Sequence, residues 1–228
     1  MQYKASWFKA VSALTAIAWI VSFGPTTEAR SKHKEHIPVD SGDLSEGTEA
    51  LENARREVLR ILQTQNGCSA WFRETDPEVA ETFRSLRLEV VSEQAAYIEQ
   101  AKDGHGGFLF KHPWAARTHE LAGRYALVEF NLNGPFFHSS SPVFEASQPG
   151  AASRYTGMRA LTIGSFRGSS LAAQMTTLLH ELAHVIGRLP LDNDSWDGRS
   201  ERNTREVLRS CKGEIRGAVR AVEHPEER

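Results

Sequence analysis

Leu178-Leu-His-Glu-Leu-Ala-His-Val-Ile-Gly187 is the stretch on which the reading of this chain turns. On a helix, His180 and His184 stand four residues apart and project from one face, one turn above the other, so both imidazoles reach a single metal ion. Glu181 follows the first histidine, where a carboxylate approaches metal-bound water without being a ligand itself. The flanks are helical in pattern. Ser169 or Ser170 is placed to cap the start, and Leu171, Met175, Leu178, Leu182 and Val185 recur at three-to-four-residue spacing as a core-facing stripe. Thr177, His180 and His184 fall on another face beside small Ala173, which predicts that the histidines occupy the open side of a buried helix. Gly187 suits the left-handed residue that ends a helix, and Pro190 prevents resumption.

His180, Glu181, His184 and Gly187 resemble the zincin metallopeptidases over one helix and its exit loop. The resemblance implies an α+β, zincin-like fold: a small mixed sheet, an active-site helix carrying the H-E-x-x-H motif, and flanking N- and C-terminal helices. It also implies zinc as cofactor and a peptide or protein as substrate. A catalytic zinc takes three protein ligands and keeps a position for water, so one ligand is still to be assigned. The metzincin arrangement puts His or Asp three residues after Gly187, where this chain has Pro190, and no Met follows His184. Gluzincins draw a Glu from a following helix. Glu201 and Glu206 stand on such a segment, Ser200 to Cys211, but Arg205 and Ser210 hold the places of the accompanying Asp. The acidic loop Asp192-Asn193-Asp194-Ser195-Trp196-Asp197 offers a third route, as in the aspzincin group. Asp192 is the favoured ligand, with Asp194, Glu206 and Glu201 as alternatives; a loop of this composition also forms Asx turns without any metal. The segment Ser200 to Cys211 is similar to the end of a set of uncharacterised exported bacterial proteins that share the helix and the acidic loop, which implies that helix, loop and Cys211 form one module.

With 228 residues the chain is long enough for one domain with a sizeable core, expected over 48–212. Its 27 basic and 29 acidic side chains give a formal net charge of -2, so composition makes no case for nucleic acid. Met1 to Ala29 reads as a signal peptide: Lys4 and Lys9 supply the positive start, Ala10 to Phe23 is an apolar run of 14 residues, and Thr27-Glu28-Ala29 leaves small residues for cleavage. That run is short for a span of roughly 20 residues. The expected location is therefore secreted or periplasmic, with no membrane contact after cleavage and an uncleaved, anchored form as the alternative. Cys68 and Cys211 are the two cysteines, and an oxidising compartment favours a bond between them over two buried thiols.

Residues 30–47 are polar and expected as a flexible leader, with no metal role for His33 or His36. From Thr48, the positions Leu51, Ala54, Val58, Leu59 and Leu62 predict a helix that Asn66-Gly67 ends. Trp71 and Phe72 are expected in the core, and Asp76-Pro77 as cap and first-turn proline of a helix to about Ser85. Alternation predicts strands over Leu86 to Val90, Gly107 to Phe110 and Ala126 to Leu132, with a turn around His105, and a further strand at Ala160 to Phe166 leads into the metal helix. Phe136 to Tyr155 reads as a long loop, His119-Glu120 as surface without metal, and 213–228 as a frayed, charged tail.

These residues predict a secreted zinc-dependent hydrolase, most simply a peptidase. Zinc would polarise the scissile carbonyl and acidify its water, and Glu181 would take the water's proton and pass it to the leaving amine. Tyr155 and Arg199 are oxyanion-donor candidates by type, and Ala160 to Phe166 is expected to border the cleft. The alternative from another class is a non-catalytic secreted binding or structural protein on the same scaffold. Composition says nothing of oligomeric state.

Overall fold

A computed structural model describes residues 41–93, 97–100, 107–110, 114–118, 123–146, 154–192 and 198–227, all within the unit Ile37–Arg228. The expectations for 1–40, including the targeting segment and His33 and His36, and for His105, His119-Glu120 and Asp194 lie outside the described residues.

The helices, in chain order, are α1 (Ser41–Gln63), α2 (Gly67–Arg73), α3 (Val79–Ser85), α4 (Leu171–Val185) and α5 (Arg199–Glu223). The strands are β1 (Arg87–Val91), β2 (Tyr97–Gln100), β3 (Gly107–Phe110), β4 (Ala116–Thr118), β5 (Leu127–Asn131), β6 (Ser140–Ala146), β7 (Arg154–Ala160), β8 (Thr162–Ile163) and β9 (Phe166–Arg167). The class is mixed α+β.

In α1, Leu51, Ala54, Val58, Ile61 and Leu62 are buried, the three-to-four spacing of a core-facing stripe. The helix begins at Ser41, so 41–47 are helical rather than leader. Extending a formed helix adds one hydrogen bond per residue fixed and avoids a second nucleation. Gly47 passes close to Phe137, where a Cβ would sit 3.3 Å from the ring, tighter than ordinary contact.

Asn66 does not merely stop α1; it starts α2. Its Oδ1 accepts from the Ser69 N–H at 2.8 Å, and Ser69 Oγ accepts from the Asn66 N–H at 3.2 Å, a reciprocal capping box that offsets two orphaned donors. Phe72 is buried as expected, while Trp71 is only half-buried and carries the Arg188 guanidinium 4.5 Å over its ring. Asp76 holds the turn before α3, accepting from the Glu78 N–H at 2.9 Å and from Thr82 Oγ1 at 2.5 Å. Pro77 therefore precedes the first helical turn.

Among the described residues three sheets, the smallest a two-stranded hairpin of β8 and β9, stand where one small mixed sheet was expected. The first has order β1-β5-β4, with β1 parallel to β5 and β4 antiparallel to it, Thr118 facing Val128. Val128 and Phe130 point into the core, as the alternation predicts. The second is antiparallel, β2-β3-β6-β7, with a register shift at Val143/Phe144. β6 and the start of β7 occupy much of the span read as a loop from Phe136 to Tyr155. The expected strand Ala160 to Phe166 is instead the end of β7 followed by the β8–β9 hairpin. Gly164 turns that hairpin at φ +56°, and a Cβ there would meet Leu208 of α5 at 2.5 Å. The chain thus turns tightly against α5 where one continuous strand was expected.

Helix α4 is the centre of the fold. Ser170 Oγ caps it by accepting from the Ala173 N–H, and every residue from Ala172 to Val185 is buried. A helix buried all round needs partners on each face; α1, α5, β4 and the β8–β9 hairpin provide them. Gly187 terminates it at φ +73°, its N–H donating to the His184 carbonyl.

α5 runs through the residues expected as a tail. Val207, Leu208, Cys211, Ile215 and Ala218 form one unbroken buried stripe, which carries the helix to Glu223. Cys68 and Cys211 are within disulfide-bonding distance, at 1.97 Å between sulfurs, and tie α2 to α5.

Candidate metal centre

Helical spacing places the His180 and His184 rings one turn apart, with centroids at 4.6 Å and planes at 78°. They are not on an open face: His180 is 6% exposed and His184 0%, because α5 and the chain leading to Asp192 cover them. Their Nε2 atoms face each other at 2.9 Å.

The third group arrives from the exit loop. Asp192 Oδ2 lies 3.2 Å from His180 Nε2, and Asp192 Oδ1 lies 3.2 Å from His184 Nε2. One ligand atom from each of the three residues falls within 4.8 Å of the others. For ligands about 2.0–2.1 Å from a tetrahedral zinc, donor atoms are about 3.3 Å apart. The observed separations are within a few tenths of an ångström of that, so the residues fit such an ion.

The far sides of the rings are also held. His184 Nδ1 lies 3.3 Å from the Leu189 carbonyl, which can only accept, so Nδ1 carries the proton. With Nδ1 so engaged, Nε2 is the nitrogen that faces His180 and Asp192: protonated, it donates to the Asp192 carboxylate, and deprotonated, its lone pair is free for an ion. His180 Nδ1 lies 3.1 Å from Thr204 Oγ1 of α5. Asp192 is fixed from the same helix, since Asn203 Nδ2 donates to its Oδ2 at 2.7 Å and to the Pro190 carbonyl at 3.0 Å. Partners of this kind orient metal ligands and set the imidazole tautomer.

Electrostatics follow from the crowding. Burial alone would raise the Asp192 carboxyl, but hydrogen bonds from His180 and His184 outweigh it and hold the group well below the carboxylate range. Burial pushes His184 down, yet Asp192 and Glu181 together bring it above its usual value. Glu181, 5% exposed, is pushed up by burial against the opposing pull of the two histidines and of Thr118. Thr118 Oγ1 of β4 donates to Glu181 Oε2 at 2.9 Å.

The structure thus brings together His180, His184 and Asp192, with Glu181 beside them. It does not bring Glu201 or Glu206 into the group: Glu201 is exposed, and Glu206 pairs with Arg209 at 2.8 Å. Arg199 donates to the Leu191 carbonyl at 3.2 Å and so braces the residue before Asp192. Tyr155 lies on β7, 56% exposed, its ring edge-on to Phe144. The exit loop is pinned at a second point by Arg188, which donates to Glu74 at 2.6 Å and Thr75 at 3.0 Å.

Thr118, Asn203 and Thr204 were missed as site residues. The α5 pair carried a signal, being polar residues on the stripe that continues as Val207, Leu208 and Cys211. Thr118, immediately before His119-Glu120, carried none.

No protein-family model, no curated protein and no solved structure gives a match to the chain.

Proposed function

We propose that the chain is an exported zinc-dependent hydrolase with a zincin-like core, and that its reaction is peptide-bond hydrolysis. The observation that carries this reading is the convergence of His180 Nε2, His184 Nε2 and Asp192 on one point, with the His184 tautomer fixed by the Leu189 carbonyl. His180, His184 and Asp192 would hold the ion, and Asn203 and Thr204 would keep two of these ligands in place. An ion there supplies Lewis acidity, polarising a carbonyl and acidifying water.

Glu181 is the base. Its Oε2 is engaged by Thr118, which leaves Oε1 to take a proton from water and deliver it to the departing amine. Burial raises its proton affinity toward that of the groups it must exchange with. β4 touches this acid through Thr118 and, among the described residues, lies at the end of the order β1-β5-β4. An extended peptide added antiparallel to β4 would bring its backbone past Glu181, and this replaces Ala160 to Phe166 as the expected border of the cleft.

A second reading has one observation in its favour. His184 is wholly buried and Asp192 nearly so, as in metal sites that only stabilise a fold or present a surface. This would be a non-catalytic secreted binding or structural protein. One comparison separates the two: the exported chain and Glu181→Gln are assayed for bound zinc and for cleavage of a fluorogenic peptide library. One zinc per chain in both, with cleavage only by the parent, supports the hydrolase; equal cleavage removes Glu181 as base, and a zinc-loaded parent that cuts nothing favours the second reading.

A further inference from the structure

α5 turns one face to the core and the opposite face to solvent. From Arg205 onward the solvent ridge reads Arg205, Arg209, Lys212, Arg216, Arg220, at spacings of four, three, four and four. At 3.6 residues per turn these five fall within an arc of about 80°, and they extend over about 22 Å of helix. Between Arg205 and Arg220 every position in that arc is basic. The four arginines are exposed and Lys212 is half-buried.

Each is a like-charge neighbour of the next at i,i+3 or i,i+4, an arrangement that disfavours the helix. Arg205 sits within the second turn, where the helix dipole does not favour positive charge. Among the described residues one acid relieves the ridge, Glu206 on Arg209, while Arg205, Lys212, Arg216 and Arg220 make no ion pair. The whole chain is slightly acidic at -2, so this ridge is a segregated field and not a sample of a basic surface.

We propose that this ridge of α5 is a docking surface for an anionic phospholipid membrane. Guanidinium groups pair with phosphate in a bidentate fork, which suits headgroups better than a simple countercharge does. The ridge is convex and carries no aromatic or large aliphatic side chain, so it offers neither a groove for a polymer nor a platform for stacked bases. A membrane plane meets a straight ridge along its full length, and mobile lipids can gather beneath each cation. Each basic group near such a surface contributes attraction that fades within a Debye length. The expected absence of membrane contact after signal cleavage is thereby revised to peripheral adsorption. This inference does not depend on the metal centre, whose candidate ligands lie on α4 and its exit loop and meet α5 through Asn203 and Thr204, off the ridge.

The test is co-sedimentation of the full chain with vesicles of phosphatidylcholine alone and with phosphatidylglycerol mixed in at about one third. Binding to neutral vesicles subtracts any contribution from the apolar amino-terminal run. Expected are stronger binding to the anionic vesicles, loss of that difference at high salt, and about a hundred-fold weaker anionic binding for Arg209→Ser/Arg216→Ser/Arg220→Ser. The triple Lys variant at the same positions should keep most of the binding, and far-ultraviolet circular dichroism establishes that both variants are folded. Equal binding to both vesicle types, undiminished binding by the folded Ser variant, or capture by a soluble polyanion with none by vesicles would each overturn the proposal.

Discussion

The side-chain amide of Asn203 donates to Asp192 Oδ2 at 2.7 Å, so the carboxylate facing both histidines is held by helix α5 as well as by its own loop. An Asp at the mouth of a loop otherwise samples several rotamers, and ordering it on metal binding would cost affinity. Asn203→Ala is therefore expected to weaken zinc binding by about 10- to 100-fold, measured by competition with a chromophoric chelator. Unchanged affinity in a folded variant would show that Asp192 needs no such support.

Thr204 makes the parallel contact to His180 Nδ1 at 3.1 Å. Thr204→Ser retains the hydroxyl and should bind zinc nearly as the parent does, whereas Thr204→Val keeps the shape and removes the partner. The Val variant should lose affinity by about 10- to 100-fold, since the ring's far nitrogen no longer has the partner that orients it. Parental affinity in a folded Thr204→Val variant would assign Thr204 to packing alone.

The helix at the centre could be read directly because its determinants are local: the Ser170 cap, the apolar stripe, the two histidines one turn apart, and Gly187 at positive φ all lie within 18 consecutive residues. Asp192 was reachable too, being near in sequence and chemically suited. What escaped were relationships set by distant chain. Asn203 and Thr204 matter only because α5 folds back onto α4, and the β8–β9 hairpin turns at Gly164 only because Leu208 packs there. The end of α5 reads as a frayed, charged tail, although Ile215 and Ala218 sit at core spacing. Charge density hid the periodicity.

Zinc itself should stabilise the fold, since unfolded chain cannot assemble the three ligands. At free zinc about 100 times the dissociation constant, the expected gain is about 2.7 kcal/mol, which for a domain of this size raises Tm by about 5–10 °C. A chelator should reverse the shift, and His184→Ala should abolish the response. If the melting temperature ignores zinc and chelator alike, the three residues do not hold an ion in the folded state.

The Cys68–Cys211 bond joins residues 143 apart. Chain-entropy reasoning gives such a closure about 5 kcal/mol, and the bond fastens α5 two turns beyond Thr204. Replacing both cysteines with Ala should lower the urea midpoint substantially and weaken zinc binding with it, because α5 carries partners of two ligands. Retained affinity in the folded double variant would uncouple the staple from the site.

Two glycines of α5 and one after α4 should respond in opposite directions to the same substitution. A Cβ at Gly213 or Gly217 would meet nothing within 4 Å, and neither has positive φ. Ala there removes the conformational freedom that Gly gives the unfolded chain and adds no clash, so each change should stabilise by about 0.5–1 kcal/mol. Gly187 likewise has open space, but its φ of +73° is unfavourable for any residue with a Cβ. Gly187→Ala should destabilise by about 1–2 kcal/mol and disturb the turn that leads to Asp192. Urea denaturation of the three single variants tests all of this at once, and stabilisation by Gly187→Ala would contradict the left-handed stop assigned to α4.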